Sequence, residues 1–396
     1  MTTQQIVPGP IDVVLREAAA TGGIAGTVVV LDEPDAQLVR ATLAAGAERV
    51  IACCDTGFTV PLPEGAIERE LTELGGADLV GADSVGGTDL VGADSVGADS
   101  VGDADAGQTD AGMPVALAVG LLPKSLAELA EQAQELARQL PKARVILGAR
   151  EKHLTRSMNE VLERHYARVR ASLGHRKSRA LVASEPLTNQ PPRIPATAHI
   201  AELDLTVCAF GGAFAGAKLD IGTRLLLETL ETAPPATETL AAEPSTVIDL
   251  GCGTGILASW AGRKWPAARI IATDRSSAAV RSATATAAAN GVTVTAHRAD
   301  AGAGLPDACA DLVLLNPPFH EGREVDRTMA NHLFAAAARL LKPGGELYTV
   351  FNSHLRHRPQ LERLVGPTEQ LAANAKFIVA RSIRQGSSTR QTASAS

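Results

Sequence analysis

Val247-Ile248-Asp249-Leu250-Gly251-Cys252-Gly253-Thr254-Gly255 is a short apolar run that breaks into a glycine-rich turn. The run reads as a strand buried on both faces. The glycines read as a tight turn that opens a helix and lets the backbone come close to a ligand at the helix N-terminus. A second apolar run, Ile270-Ile271-Ala272-Thr273-Asp274, ends in a carboxylate 19 residues after Gly255. At the end of the next parallel strand such a carboxylate can accept hydrogen bonds from both hydroxyls of a ribose. It can also serve to cap the helix that begins near Ser276. A glycine turn alone is shared with nicotinamide and flavin binders, but turn and carboxylate together predict a βαβ unit for an adenosine-containing cofactor.

The first half repeats the plan. Val28 to Leu31 is a buried-strand run, a helical segment follows, and Val50-Ile51-Ala52-Cys53-Cys54-Asp55 closes the unit. The interval from Leu31 to Asp55 equals that from Leu250 to Asp274, 24 residues in each case. Downstream, Val115 to Leu122 reads as a strand, Leu126, Leu129, Ala133, Leu136 and Leu140 mark one face of a helix, and Ala143 to Leu147 reads as another strand. In the second half Leu312 to Leu315 is a strand, a helix follows, and Gly344-Gly345 turns into a strand from Glu346 to Phe351. Where the second copy has Gly251, Gly253 and Gly255, the first has Asp32, Pro34 and Ala36. Proline and added side chains obstruct a backbone that must wrap round a cofactor, so the first copy is expected to have lost cofactor binding.

Between these segments, GADLVGADSVG and GTDLVGADSVG repeat at an 11-residue period without a Lys or Arg. Glycine breaks this stretch too often for a helix or strand, and two repeats are too few to stack as a β-solenoid, so 75–112 is expected to be a disordered insertion. The 396 residues exceed one ordinary core. The expected division is a first domain over 1–190, a second over 191–384 and a frayed tail over 385–396. With aromatics at 3 %, the class is α/β, with packed helices on parallel sheets.

The five cysteines form no CxxC pair and show no ligand spacing with histidine, so neither a metal site nor a disulfide framework is indicated, and a reducing cytosol is expected. No charged leader with an apolar core is visible, and no apolar run approaches the ~18 residues needed to cross a bilayer, so no membrane association is expected. The net charge is −7, yet between Lys152 and Arg179 eight Lys and Arg face only Glu160 and Glu163. That segment, with Lys152, Arg156, Arg176 and Lys177, is either a solvated helix face or a surface for phosphates.

Asn316-Pro317-Pro318-Phe319 follows the strand Leu312 to Leu315 directly. An amino group conjugated to a purine is a poor nucleophile because its lone pair is delocalised into the ring. The Asn316 side-chain carbonyl and the Pro317 backbone carbonyl can accept its two hydrogens, which favours a pyramidal nitrogen with its lone pair aimed at an incoming group. The prolines fix φ and add no amide donors, so these carbonyls are held in place, while Phe319 offers a face for a base to stack on. The plain alternative is a proline-rich turn that ends a strand.

The second half resembles a class I methyltransferase that modifies amines with an Asn-Pro-Pro-aromatic motif, and more closely the bacterial ribosomal RNA guanine-N2 methyltransferases. The match rests on Phe214, on Lys218-Leu219-Asp220-Ile221-Gly222-Thr223-Arg224, on VIDLGCGTG, on NPPFHEG from Asn316 to Gly322, on LLKPGGELYTVFN, and on Asn374-Ala375-Lys376-Phe377. It spans nearly all of 195–383. In the first half Leu122-Pro123-Lys124-Ser125-Leu126, and Gly148-Ala149-Arg150-Glu151-Lys152 with the basic helix expected after it, look more like the large-subunit (23S) branch than the small-subunit (16S) branch. The insertion and a shortened N-terminus depart from the pattern.

The resemblance implies two tandem Rossmann-like domains, each with a seven-stranded and mostly parallel sheet, the N-terminal one degenerate and used to grip RNA. It implies S-adenosylmethionine as the cofactor. Gly251, Cys252, Gly253 and Gly255 would cradle its methionine part, Asp249 would support its amino group, Asp274 would bind the ribose and Asp300 the adenine amine. Asn316, Pro317, Pro318 and Phe319 would serve catalysis, with Lys218, Asp220, His320 and Glu321 near the substrate. The expected substrate is ribosomal RNA and the expected state a monomer. The same amine chemistry also serves adenine-N6 in DNA and glutamine amides in proteins, and a non-catalytic RNA-binding assembly factor is a rival from another class.

Overall fold

The computed structural model describes residues 9–31, 34–74, 115–187, 191, 195–213, 215–234, 236, 243–318 and 323–386, with side chains of 323–327 excluded. The acidic repeat at 75–112 lies outside them, as do the tail from 387 onward, Phe214, Phe319, His320 and Glu321. The chain divides into two compact units. One comprises Met1–Cys54, Phe58–Pro123 and Gln132–Pro191, and the other Asp55–Gly57, Lys124–Glu131 and Pro192–Ser396.

The first unit is built on β1 (Thr27–Leu31), β2 (Arg49–Cys53), β3 (Ala66–Glu68), β4 (Leu117–Leu121), β5 (Arg144–Arg150), β6 (Tyr166–Ala171) and β7 (Ser178–Pro186). These form one seven-stranded sheet in the order β3-β2-β1-β4-β5-β7-β6, with only β7 running against the others. The second unit holds the hairpin β8 (Ala196–Ile200) and β9 (Leu205–Ala209), then β10 (Thr246–Leu250), β11 (Arg269–Asp274), β12 (Thr295–Arg298), β13 (Ala310–Leu315), β14 (Leu341–Asn352), β15 (Thr368–Ala373) and β16 (Phe377–Ile383). Its seven-stranded sheet has the order β12-β11-β10-β13-β14-β16-β15. Strand for strand this is the first order again, so the expected tandem α/β architecture is present. Valine, isoleucine and leucine fill β10 and β13 because both faces of each strand are buried, one side by Leu257, Trp260 and Ala283, the other by Leu333, Phe334 and Ala337.

Strand register corrects three details of the sequence reading. Leu31 pairs with Cys53, whereas Leu250 pairs with Thr273. The residue that matches Asp274 in the first copy is therefore Cys54 rather than Asp55; equal spacing concealed a difference of one residue in where the second strand sits. Second, β14 begins at Leu341 and not after Gly344-Gly345. A register shift between Ala310 and Leu312 takes up the irregular Pro343-Gly344 segment, where Gly344 stands at φ +81°. Third, the basic segment is not one helix. A short helix, Arg156–Leu162, carries only Arg156, and the chain then turns into the hairpin β6–β7. On the edge strand β6, Tyr166, Arg168 and Arg170 share one face and Ala167, Val169 and Ala171 the other; Tyr166 is buried where the strand begins, and both arginines further along are exposed.

A polar seam protects the edge strand β9. Ser282, Thr286 and Asn290 are spaced four apart at one side of the helix Ser277–Ala289 and its C-cap. Their side chains bond the backbone of alternate residues: Ser282 Oγ accepts from Phe210 N at 2.9 Å, Thr286 Oγ1 from Cys208 N at 2.9 Å, and Asn290 Oδ1 from Thr206 N at 2.9 Å. Four helical residues rise ~6.0 Å and two strand residues ~6.6 Å, so one row of side chains can serve alternate amides. Among the described residues no helix is long and apolar enough to cross a membrane.

Candidate active site

Three sequence signals meet at the carboxyl edge of the second sheet. Leu250 pairs with Leu315, so Gly251 and Asn316 leave adjacent parallel strands at the same level. Thr273 pairs with Leu250 on the other side, which sets Asp274 one residue beyond. This edge is where open α/β sheets take their ligands. In the first unit the equivalent of Asn316 is Leu121, since Leu31 pairs with Gly120, and Leu122 and Pro123 follow.

The glycine loop is tied down from both ends. Gly251 N and Cys252 N both donate to Thr273 O, at 2.8 and 2.9 Å. Gly251 at φ +78° has no atom within 4 Å of where a Cβ would stand, whereas at Gly255, φ +75°, an added Cβ would lie 2.6 Å from Ala283 Cα. Gly251 thus borders open space and Gly255 marks a close approach of two helices. Ala36, the counterpart of Gly255, holds the same left-handed conformation at φ 53° at the N-cap of the helix Gln37–Ala44. The degenerate copy has kept the turn while replacing its glycine.

Asp274 braces the loop and the approach to the next helix without being that helix's cap. Its Oδ2 accepts from Gly253 N at 3.0 Å and its Oδ1 from Ser276 N at 2.9 Å, while Ser276 itself caps the next helix. Each oxygen retains a further lone pair for a ribose hydroxyl. Burial raises the Asp274 pKa, against the opposing pull of those two amides. Asp249 is more deeply placed, 1 % exposed. Its Oδ2 accepts from Ala258 N at 3.0 Å, while Oδ1 has no partner among the described residues. Burial pushes its carboxyl up to about 7, and nearby Asp274 adds to the rise. A buried carboxylate oxygen lacking a donor, beside a loop with room at Gly251, fits a ligand that brings an ammonium group. Burial also pushes the Cys252 thiol well up, so it is an inert wall of the loop.

Asn316 is half-buried, Pro317 buried and Pro318 exposed. The Asn316 Nδ2 donates to Thr223 Oγ1 at 2.9 Å and to Asp220 Oδ1 at 3.3 Å. Asp220 caps the helix Ile221–Thr232, and Gly222 lies so close that a Cβ there would be 3.5 Å from Phe377 and 3.6 Å from Asn316 Oδ1. Lys218 is exposed two residues before this cap. Asp300 opens a short 3-10 turn after β12, is exposed, and lies 3.3 Å from His332 Nε2. Thr223 had no assigned role in the sequence reading, because nothing local announces a partner 93 residues away.

In the first unit the basic residues separate into two sets. Arg156, Arg168 and Arg179 pair with Glu160, Glu185 and Glu151 at 3.3, 3.0 and 3.5 Å, and Arg170 pairs with Glu17. Lys152, Arg164, Arg176 and Lys177 have no carboxylate partner among the described residues. Arg176 and Lys177 form the tip of the β6–β7 hairpin, with His175 and Ser178 exchanging both backbone hydrogen bonds. Both tip residues have positive φ, +49° and +57°, where glycine or asparagine is favoured. Placing two long cations there costs ~1–3 kcal/mol each. Leu173, which sequence reading passed over, stands 93 % exposed beside them.

The fold and this edge define an S-adenosylmethionine-dependent methyltransferase of class I. Residues 204–381 match the family model described as Methyltransferase small domain, and 103–187 match the RLMG N-terminal domain. The chain is 36 % identical over 270 residues to the ribosomal RNA large subunit methyltransferase G of Shewanella amazonensis, covering 66 % of this chain and 68 % of that one. It is 39 % identical over 263 residues to the protein of that name from Pseudomonas paraeruginosa, covering 65 % and 68 %. The chain belongs to the ribosomal RNA large subunit methyltransferase G family. Among solved structures, a T. thermophilus 16S rRNA N2 methyltransferase in complex with AdoMet and guanosine shares the fold with TM-score 0.65 at 20 % identity, over 97 % of this chain and 93 % of that one.

Proposed function

We propose that this protein methylates the exocyclic N2 amine of a guanine in 23S ribosomal RNA, acting as a monomer in the cytoplasm. The observation that carries the reading is the level placement of Asn316-Pro317-Pro318 beside the glycine loop, at the edge where Asp249 and Asp274 present their carboxylates. S-adenosylmethionine, when bound, would supply an electrophilic sulfonium methyl group: the amine nitrogen would form the N–C bond as the S–C bond breaks, the thioether S-adenosylhomocysteine would leave, and one amine proton would pass to water. Asp249 receives the cofactor's ammonium, Asp274 its ribose hydroxyls, and Gly251, Cys252, Gly253 and Gly255 shape the loop around it. Asp300 takes the adenine amine. Asn316 Oδ1 and the Pro317 carbonyl accept the two amine hydrogens, Pro318 stiffens the turn, and Phe319 stacks on the base. Lys218 and His320 bear on the substrate.

Positioning supplies most of the acceleration, and no strong base is required, because the nitrogen becomes cationic and acidic once methylated and loses its proton to solvent. The guanine must leave its stack to enter, which favours a loop or an unpaired site. The RNA backbone lies on the first unit, where Lys152, Arg156, Arg176 and Lys177 contact phosphates and Leu173 packs on a base. That hairpin holds cations in strained conformations, which fits a surface kept for binding.

The test is transfer of tritiated methyl from S-adenosylmethionine to protein-free 23S RNA, 16S RNA, DNA and ribosomal protein, followed by digestion to nucleosides. Label in N2-methylguanosine from 23S RNA is expected. Label only in N6-methyladenine or in glutamine would replace the reading, and no transfer to any acceptor would leave the assembly-factor alternative.

A further inference from the structure

The Asn316 amide can be turned end for end by rotation about its last side-chain bond, and the two orientations have opposite chemistry. With the oxygen outward it accepts from an incoming amine. With the nitrogen outward it presents N–H groups to N–H groups and repels that amine. Some feature of the protein must choose between the two.

The choice is made by two groups on the opening turn of the helix Ile221–Thr232. Asn316 Nδ2 lies 2.9 Å from Thr223 Oγ1 and 3.3 and 3.5 Å from the two carboxylate oxygens of Asp220. Carboxylate oxygens accept, and the Thr223 hydroxyl can accept as well, so the neighbour that faces both is the amide nitrogen. The carboxylate is itself held: Asp220 Oδ1 accepts from Gly222 N at 2.9 Å and Thr223 N at 3.1 Å as the N-cap of the helix. Thr223 is 5 % exposed, which keeps water from taking its place.

We propose that Asp220 and Thr223 are positioning residues that latch the Asn316 amide with its oxygen toward the target amine. The inference rests on the proposed amine methylation and adds how its acceptor is oriented. Asp220 then works through Asn316, and the substrate contact expected from the sequence is unnecessary to explain it. Helix cap and amide latch share one carboxylate, so forming the helix also sets the acceptor.

The experiment compares Thr223→Val, Thr223→Ser, Asp220→Asn and Asn316→Ala in the full chain. It measures kcat and KM for RNA methylation, cofactor affinity by calorimetry, the thermal midpoint, and the Asn316 side-chain ¹⁵N–¹H resonances, assigned by their loss in Asn316→Ala. Thr223→Val removes the acceptor at nearly constant shape and should lower kcat about tenfold with KM and cofactor affinity unchanged, while Thr223→Ser restores it to within about twofold. Asp220→Asn keeps the cap, since asparagine caps as well as aspartate, yet supplies a group that can also donate; kcat should fall with the thermal midpoint unchanged. In an Asn316→Ala background Thr223→Val should have no further effect. The Asn316 resonances should move in Thr223→Val and Asp220→Asn and stay put in Thr223→Ser. Wild-type kcat with unmoved resonances in both Thr223→Val and Asp220→Asn would overturn the latch, as would losses that simply follow the thermal midpoint. A wild-type protein that methylates no RNA overturns the proposed function instead, and the resonances then still decide the latch.

Discussion

Gly251 and Gly255 look alike in the sequence, both at positive φ, and the structure assigns them different burdens. Alanine at Gly251 meets nothing within 4 Å, so its effect on stability is the left-handed backbone alone, ~1–2 kcal/mol. Alanine at Gly255 bears the same backbone cost and also drives its Cβ to 2.6 Å from Ala283 Cα and 2.7 Å from Ala283 Cβ. Those are atoms of a packed helix that can yield only by moving its backbone, which adds ~1–3 kcal/mol. The expected losses are ~1–2 kcal/mol for Gly251→Ala and ~2–5 kcal/mol for Gly255→Ala. The chain's two tryptophans, Trp260 and Trp265, both lie in the second unit, on or just after the helix that Gly255 opens. Their fluorescence during urea unfolding therefore reports this unit. With a slope of ~2 kcal/mol/M, the Gly255→Ala midpoint should fall by ~1–2.5 M and that of Gly251→Ala by ~0.5–1 M. Equal midpoints for the two variants, or a lower one for Gly251→Ala, would refute the close-approach argument. Cofactor affinity should separate the pair in the other direction for its cause, because Gly251→Ala acts on the space beside the loop without disturbing the helix packing.

Burial lifts Asp249 from its ordinary value of 3.8 to about 7, so over that range the native state holds a proton that the unfolded chain has released. Stability should fall as pH rises from about 4 to 7 and level off above. Asp249→Asn should flatten this slope, and a wild-type minus variant difference that is the same at pH 5 and pH 8 would count against the assignment. Thr286→Val removes the hydroxyl that Cys208 N donates to, leaving a buried amide unpaired at a cost of ~1–3 kcal/mol; unchanged tryptophan-monitored unfolding would show the polar seam to be dispensable. If Arg176 and Lys177 contact phosphates, replacing both with alanine should reduce the slope of log affinity against log salt by ~1–2 without changing preference among RNA sequences, and an unchanged slope by filter binding would remove the hairpin from the interface.

Much of the second unit was legible because its signals are local. A branched strand, a glycine turn and a carboxylate at the next strand end each have their cause within a few residues, and the repeated order of such segments announced a tandem fold. What escaped is what depends on register or on contacts distant in sequence. Equal 24-residue intervals suggested that Asp55 matches Asp274, yet pairing of Leu31 with Cys53 shifts the match to Cys54. The basic segment read as a helix because charge density is blind to period, whereas the alternation in Tyr166 to Ala171 marked a strand. Ser282, Thr286 and Asn290 looked like ordinary small and polar helix residues until β9 was seen beside them. The Thr223 contact to Asn316 spans 93 residues and has no trace in either motif taken alone.

The central claim is that the oxygens at Asn316 and Pro317 make a guanine amine in 23S RNA accept a methyl group. Reverse-transcription mapping of ribosomal RNA from cells that carry the gene, lack it, or carry only the Asn316→Ala form tests it most directly. The account predicts one N2-methylguanine in 23S RNA that is present in the first strain and absent from the other two. The same modification pattern in all three strains would contradict it.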